Sequence, residues 1–230
     1  MAFKQLTLDI RPEQQPGFDN FVPGSNGELL ARLRALAEPG SFDLVYLWGP
    51  PGSGRSHLLA ATARAARRPV TLVLGAEAGE EPGVAPGGLL IVDDVDRLSP
   101  AAQIALFRTF NSARLIGLAL LMSGPAPPLQ LALREDLRTR VGSALIYEVK
   151  PLTDEDKAAT LRQHARGRGM RVEDDVIHYL LRHAPRDLPT LMAILDALDR
   201  ASLEQKRPVT LPLLREVLNP ARAHTDEHRE

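Results

Sequence analysis

The chain has 230 residues, of which 44% are hydrophobic and 25% charged, and its formal net charge is −1. These values are ordinary for a soluble globular protein with one domain or a domain and a small appendage. The near-neutral charge excludes the basic surface of an autonomous nucleic-acid-binding protein, although a local basic patch stays open. Because cysteine is absent, a disulfide framework and a thiolate metal site are excluded as well.

The N-terminal residues lack the charged and then apolar layout of a signal peptide. The longest apolar run, near 115–122, is far too short to span a bilayer. We therefore expect a cytoplasmic protein that has no membrane partner.

The strongest signal is the stretch 44–59, LVYLWGPPGSGRSHLL. A short apolar run leads into a loop rich in Gly, Pro and Ser, and a helical pattern follows. The spacing from Gly49 to Gly54, Arg55 and Ser56 fits the phosphate-binding P-loop, with arginine where lysine is usual. Glycines let successive backbone N–H groups converge on phosphate oxygens, and Ser56 would offer its hydroxyl to Mg²⁺. The alternative is a Gly-Pro turn that binds nothing.

Arg55 changes what such a loop is expected to do. Lysine carries a compact point charge, whereas a guanidinium group is a larger planar fork with different donor geometry. We expect Arg55 to hold a diphosphate well and to position a γ-phosphate poorly. The prediction is tight nucleotide binding with weak or absent turnover by this chain alone, which leaves open whether it is an enzyme.

A second signal is the run 89–94, LLIVDD, which is typical of a strand buried on both faces of a parallel sheet. Ligands bind at the carboxyl ends of such strands. Asp93 is therefore a candidate Mg²⁺ ligand, and Asp94 a candidate to orient or deprotonate an attacking water. The alternative is a pair of turn or capping aspartates. Ser123, after a buried run at 118–122, would touch the γ-phosphate or its water, or else form a turn.

The remaining patterns predict an α/β fold with a P-loop module, in which a parallel sheet is flanked by helices, and a small separate helical domain follows, which we call the lid. Further strands are predicted at 70–74 and 144–149, while 75–88 is a loop to which we assign no function. Beyond Pro151 the pattern is wholly helical, and Thr153 with Asp156 resembles a capping box. The predicted parts are an N-terminal tail at 1–16, the P-loop domain at 17–150, the lid at 151–220 and a disordered tail at 221–230.

These segments together resemble an AAA+ module. More narrowly, the run 55–59, RSHLL, resembles the P-loop helix of the bacterial initiator DnaA, and 18–22, FDNFV, resembles that family's entry to the adenine pocket. The run 137–140, LRTR, ahead of 147–157 is similar to the Hda family of DnaA-related regulatory inactivators. The likeness covers about residues 3–218, and its specificity comes from the order of the motifs.

The resemblance implies a negative regulator of replication initiation that binds ADP, or ATP, and triggers hydrolysis of ATP held by DnaA. Arg140 would be the arginine finger aimed at the partner's nucleotide, since an arginine supplied in trans can contribute roughly 10³ to 10⁵ in rate. The alternative is an ordinary surface arginine. The implied nucleotide contacts are Asn20, Phe21 and Val22 at the base, Gly52, Ser53, Gly54, Arg55, Ser56 and His57 at the phosphates, and Arg186 as the lid arginine called sensor II.

The N-terminal motif QLTLDI at 5–10 resembles the peptide that inserts into the bacterial sliding clamp, the β subunit of DNA polymerase III. Alternation places Leu6, Leu8 and Ile10 on one side of an extended peptide, behind Gln5. The following linker, with two prolines, favours a projecting tail. The alternative is an edge strand of the protein's own sheet.

Three other interpretations stay open. The first is a self-contained AAA+ ATPase such as a helicase loader, and the second a structural protein with a degenerate P-loop. The third, a DnaA-type DNA-binding module, would need a basic helix-turn-helix after the lid, and we expect no autonomous DNA-binding domain. Self-association and Mg²⁺ dependence are not decided by the sequence.

Overall fold

The computed structural model describes residues 15–78, 82–185 and 187–218. The predicted clamp motif with Gln5, Leu6, Leu8 and Ile10, the lid residue Arg186 and the tail from 219 onward lie outside the described residues. The chain divides into two compact units, of which the first ends at Val149 and the second begins at Lys150.

The first unit alternates strands with helices. Its strands are β1 (Leu44–Trp48), β2 (Val70–Leu74), β3 (Leu89–Asp93), β4 (Ala119–Gly124) and β5 (Leu145–Glu148). Its helices are α1 (Gly27–Ala37), α2 (Arg55–Ala65), α3 (Pro100–Ala113) and α4 (Glu135–Gly142). Short 3-10 turns occur at Phe18–Asn20, Gly75–Glu77, Val95–Arg97 and Pro128–Gln130.

All strand pairings in the sheet are parallel, and the strand order is β2-β3-β4-β1-β5. Strand β4 therefore lies between β1 and β3. The pairing of Leu47 with Ser123 on β4 brings the end of β1 level with the end of β4. The pairing of Val92 with Met122 places Asp93 of β3 at the same edge. Sheet topology alone thus gathers the predicted phosphate loop, Ser123 and the two aspartates at the carboxyl edge.

Apolar layers cover both faces of this sheet. One layer packs α1 and α2 against the sheet through residues such as Leu33, Leu36 and Leu58, all with no exposed surface. The other packs α3 and α4 through residues such as Leu106 and Leu137. Burial of each such side chain contributes roughly 1.5–3 kcal/mol. The predicted α/β class, with a parallel sheet between helices, is confirmed.

The amino edge of the sheet is fastened by one buried cation. Arg68, which follows α2 and is 9% exposed, donates hydrogen bonds to backbone carbonyl groups at the end of α1 and in three loops. Burial lowers the pKa of its guanidinium group. The acceptors are Gly87 at 2.9 Å, Ser41 at 2.7 Å, Gly117 at 3.3 Å, Glu38 at 3.4 Å and Leu36 at 3.5 Å.

The second unit is all helical, as predicted. It contains α5 (Asp154–Gly167), α6 (Asp174–His183), α7 (Leu188–Gln205) and α8 (Leu211–Leu218). Thr153 and Asp156 form the predicted capping box at the start of α5. Leucines with no exposed surface, including Leu161, Leu180 and Leu195, form its core. Within the described parts of the chain, no helix is long and apolar enough to cross a membrane.

We predict that Arg68→Ala lowers the free energy of unfolding of the first unit by about 3 kcal/mol, because buried carbonyl groups lose their donor. Trp48, the single tryptophan, lies in β1, so its fluorescence during urea unfolding follows this unit. Arg67→Ala is the matched control. The Arg67 side chain is 75% exposed beside Glu38, and its loss is expected to change stability by less than about 0.5 kcal/mol. Equal effects of the two substitutions would contradict the assignment.

Candidate functional site

The loop between β1 and α2 needs glycine at three positions. Gly52 and Gly54 have φ of +76° and +98°, a left-handed conformation that other residues rarely adopt. A Cβ atom on Gly54 would lie 2.7 Å from the Phe21 ring. A Cβ atom on Gly49 would lie 2.7 Å from the Val149 carbonyl oxygen. The glycines thus permit both the turn and the close packing around it.

Two buried donors of this loop have no hydrogen-bond partner among the described residues. Ser53 is 7% exposed, and its Oγ atom is unpartnered there, as is the buried Nη1 atom of Arg55. Buried polar groups are nearly always paired, so such a pair of donors at the start of a helix indicates an anion site. Arg55 is also the first residue of α2, whose N-terminal N–H groups point toward the same place. The residues present therefore fit the phosphates of a nucleotide.

The two aspartates at the end of β3 form a corner with Ser123. The fully buried Ser123 hydroxyl donates to the Asp93 carboxylate and accepts the Asp94 backbone N–H at 3.0 Å. Both hydrogen bonds are internal, and the predicted contact of Ser123 with a γ-phosphate or its water stays a prediction. Its observed contacts connect β4 to the end of β3. Ser123 is a structural link in this corner.

Gly75 completes that corner, and sequence analysis missed it. Asp94 has a left-handed backbone, with φ of 52° and ψ of 64°. A Cβ atom on Gly75 would lie only 2.1 Å from the Asp94 carbonyl oxygen. The available signal was a glycine directly after the β2 pattern, within the loop to which we assigned no function. Its role depends on how closely two chain segments approach, which sequence pattern does not reveal.

Arg55 contacts the aspartate corner across the loop. Its Nη2 atom lies 3.6 Å from Oδ1 of Asp94, and the two side chains are 13% and 34% exposed. Burial raises the pKa of Asp94, as does the neighbouring Asp93 carboxylate, while Arg55 opposes the shift. The predicted phosphate ligand and the predicted water-positioning carboxylate therefore form an ion pair.

The segment predicted to bind the base lies against the start of α2. Asn20 accepts a hydrogen bond from the Gly17 N–H group at 2.8 Å and donates to the Gln15 carbonyl at 3.1 Å. The His57 ring lies 5.6 Å from the Phe21 ring, and its Nε2 atom is 3.0 Å from the Gly17 carbonyl oxygen. His57, predicted among the phosphate contacts, therefore joins α2 to this segment. Val22 is half-buried beside it in sequence.

Oxygen donors suited to Mg²⁺ are present but sparse. The Ser56 hydroxyl is exposed at the start of α2, and Asp93 ends β3. Hydroxyl and carboxylate oxygens suit Mg²⁺, which usually takes its other ligands from water and substrate phosphates. Among the described residues, no group of three or more His, Asp or Glu side chains could hold a metal ion. The pair therefore fits a metal bound together with a nucleotide.

Arg140 lies apart from these residues, near the end of α4. It is exposed, and its guanidinium carbon lies 6.0 Å from the centre of the Phe107 ring. The backbone around it is fixed, because the Ser143 hydroxyl donates to the Arg140 carbonyl at 2.7 Å. An exposed guanidinium on a fixed helix end can reach a second molecule.

Comparisons with known proteins agree with this fold. Residues 154–218 match the family model described as the lid domain of Hda. Domain III of the Thermotoga maritima replication initiation protein DnaA superposes with a TM-score of 0.70 at 19% identity, covering 91% of this chain and 97% of that chain. A replication initiator DnaA bound to AMPPCP and single-stranded DNA gives 0.68 at 20% identity, with 86% and 69% covered. A point variant of Thermotoga maritima RuvB gives 0.69 at 18% identity, with 89% and 72% covered.

At these identities the superpositions show the fold. The parallel sheet and the helical region after it share the fold of the DnaA and RuvB structures. Residues 154–218 match the Hda lid-domain model, and the chain as a whole has a DnaA-like fold, in agreement with the resemblance that its sequence motifs carry.

We predict that Gly75→Ala lowers the free energy of unfolding of the first unit by about 2 kcal/mol, because its methyl group would overlap the Asp94 carbonyl oxygen. Urea unfolding followed by Trp48 fluorescence measures the change. Gly83→Ala is the matched control, because no described atom lies within 4 Å of a Cβ atom there. The control should stay within about 0.5 kcal/mol of the wild type. A neutral Gly75→Ala variant would contradict the close approach.

Proposed function

We propose that this chain is a DnaA-related negative regulator of replication initiation. It would bind ADP at its P-loop, dock on the sliding clamp and present Arg140 to ATP held by DnaA. The observation that carries the proposal is the contrast between two arginines. Arg55 lies inside the chain's own P-loop, with one nitrogen buried and unpartnered among the described residues, while Arg140 is exposed on a separate helix.

Nucleotide binding is supported by the two unpartnered donors described above, Ser53 Oγ and Arg55 Nη1. One of the similar DnaA structures is bound to AMPPCP, an ATP analogue. In our proposal Phe21, which lies over Gly54, closes the base side of the site. Ser56 and Asp93 would hold Mg²⁺ when a nucleotide is present, and the ion would neutralise phosphate charge.

Weak intrinsic turnover is part of the proposal. Hydrolysis requires a positioned γ-phosphate and a carboxylate that is free to orient water. Here Arg55 is the phosphate-facing cation, and Asp94 is the carboxylate in the water-positioning place. Because these two groups contact each other, neither is free for its usual role. The chain would then act mainly on another protein's nucleotide.

The action in trans rests on Arg140. Phosphoryl transfer is accelerated chiefly by positioned positive charge, so an arginine from a second subunit can complete an incomplete site. The Hda lid-domain match favours DnaA as the molecule that holds the ATP. Homo-oligomers would use the same exposed arginine, and the assays below separate the two cases. In either case we place the protein in the cytoplasm.

Clamp docking is proposed from the sequence motif alone, since Gln5, Leu6, Leu8 and Ile10 lie outside the described residues. Replacing Leu6 and Leu8 with alanine should remove the apolar contacts and abolish binding to the clamp. Pull-down with purified clamp tests this step. Binding that survives the double substitution would assign the clamp contact elsewhere.

We predict that ADP stabilises the protein. Ligand at 100-fold its dissociation constant adds about 2.7 kcal/mol, which a thermal shift measures readily. Gly54→Ala should abolish the shift, because its Cβ atom would overlap the Phe21 ring at a left-handed position. Gly27→Ala, where no described atom lies within 4 Å, is the matched control and should keep it. A wild-type protein that ADP does not stabilise would instead favour a structural protein with a degenerate P-loop.

We predict that Arg140→Ala keeps ADP binding and clamp binding but reduces stimulation of DnaA at least about 10³-fold, since it removes the trans-acting charge. The assay is ATP hydrolysis by purified DnaA with clamp loaded on DNA. Arg114→Ala, at an exposed arginine after α3, is the control. Normal stimulation by Arg140→Ala would refute the finger. Turnover of about 1 s⁻¹ or more by this chain alone, with hexamer formation, would support a self-contained ATPase.

A further inference from the structure

We infer that Asp94 sets how many phosphates this site accepts. Paired with Arg55, its carboxylate would make the site select a nucleoside diphosphate over a triphosphate. This inference rests on the proposed nucleotide binding and assigns to Asp94 a specificity role in place of water activation.

The position of the ion pair between Arg55 and Asp94 favours a diphosphate. In a P-loop, the basic side chain that opens the helix reaches the terminal phosphates of the nucleotide. Here that side chain is Arg55, and its Nη2 atom faces Asp94 Oδ1 at 3.6 Å. The Asp94 carboxylate therefore shares the cation that would otherwise serve a γ-phosphate.

The shape of the Arg55 guanidinium group also favours a diphosphate. Its planar fork can offer one edge to a carboxylate and another to a phosphate at the same time. One nitrogen of Arg55 is engaged by Asp94, while the buried Nη1 atom keeps a donor that no described residue uses. This arrangement suits one terminal phosphate beside the carboxylate.

The charges around Asp94 disfavour a third phosphate. Asp93 and Asp96 add like charge around Asp94, and Arg55 and Arg97 oppose it. A γ-phosphate would bring further negative charge to this carboxylate-rich corner. Like charges repel more strongly in a partly buried site than in bulk water. A diphosphate ends one phosphoryl group earlier and avoids that repulsion.

The backbone of Asp94 is held in place by its neighbours. Its backbone N–H group donates to Ser123, and its carbonyl oxygen packs against Gly75. Its left-handed backbone is therefore fixed from two sides. A triphosphate would therefore meet a carboxylate attached to a fixed backbone, whereas a flexible loop could carry its carboxylate away.

The test measures the dissociation constants of ADP and ATP by calorimetry on the full chain, in excess EDTA to exclude Mg²⁺ and hydrolysis. We expect the wild type to bind ADP at least about tenfold more tightly than ATP. Asp94→Asn removes the charge, tolerates the left-handed backbone and keeps the N–H bond to Ser123. The ADP preference should fall about tenfold, mainly through tighter ATP binding. Asp94→Gly removes the whole side chain and should lower the ADP preference by a similar factor.

Asp43→Asn is the matched control. Asp43 is also paired with an arginine, at 2.8 Å from Arg32, and its side chain is 38% exposed, close to the value for Asp94. It takes no part in the site, so the ADP preference should be unchanged.

Each outcome has a distinct consequence. Equal wild-type affinities for ADP and ATP overturn the inference, as does a preference that both Asp94 variants retain. If both Asp94 variants lose affinity for ADP and ATP to the same extent, Asp94 has a structural role and the inference is overturned. A wild type that binds neither nucleotide refutes the proposed nucleotide binding itself, which is a separate failure.

Discussion

The position of β4 between β1 and β3 is the constraint on which the site depends. Neighbouring strands lie about 4.8 Å apart, so one intervening strand separates the P-loop from Asp93 by about 10 Å. Short side chains cannot cross that gap. Ser123 on the intervening strand contacts the aspartates, and the long Arg55 side chain reaches Asp94 from the opposite side. The geometry of the whole carboxyl edge follows from this strand order.

Sequence periodicity was sufficient for the elements and for the class of fold, because buried strands and amphipathic helices have simple spacing rules. It also made Asp93 and Asp94 candidates for the site, since carboxylates at the end of an aliphatic run are conspicuous. It could not assign Gly75, Ser123 or Arg68, whose roles arise from contacts between segments distant along the chain. Arg67 and Arg68 are adjacent and identical in sequence, yet one side chain is exposed and the other buried.

Two arginines in different environments would serve two different nucleotides in the proposed activity. Arg55 is largely buried and already has one carboxylate partner, so its charge is used within the chain. Arg140 is exposed and lies over an aromatic ring, so its charge remains accessible to solvent. A buried charge requires compensation, whereas an exposed one costs little to keep available. The same residue type can thus hold one nucleotide and act on another.

The Arg68 network has a consequence for how this protein can change over time. Its acceptors are all backbone carbonyl groups, which every amino acid carries. The contributing loops are therefore free to vary in side chains while the hydrogen bonds persist. Their lengths are constrained, because one inserted or deleted residue would move an acceptor beyond hydrogen-bond distance of Arg68. Homologous loops at this edge should drift in composition but keep their residue count.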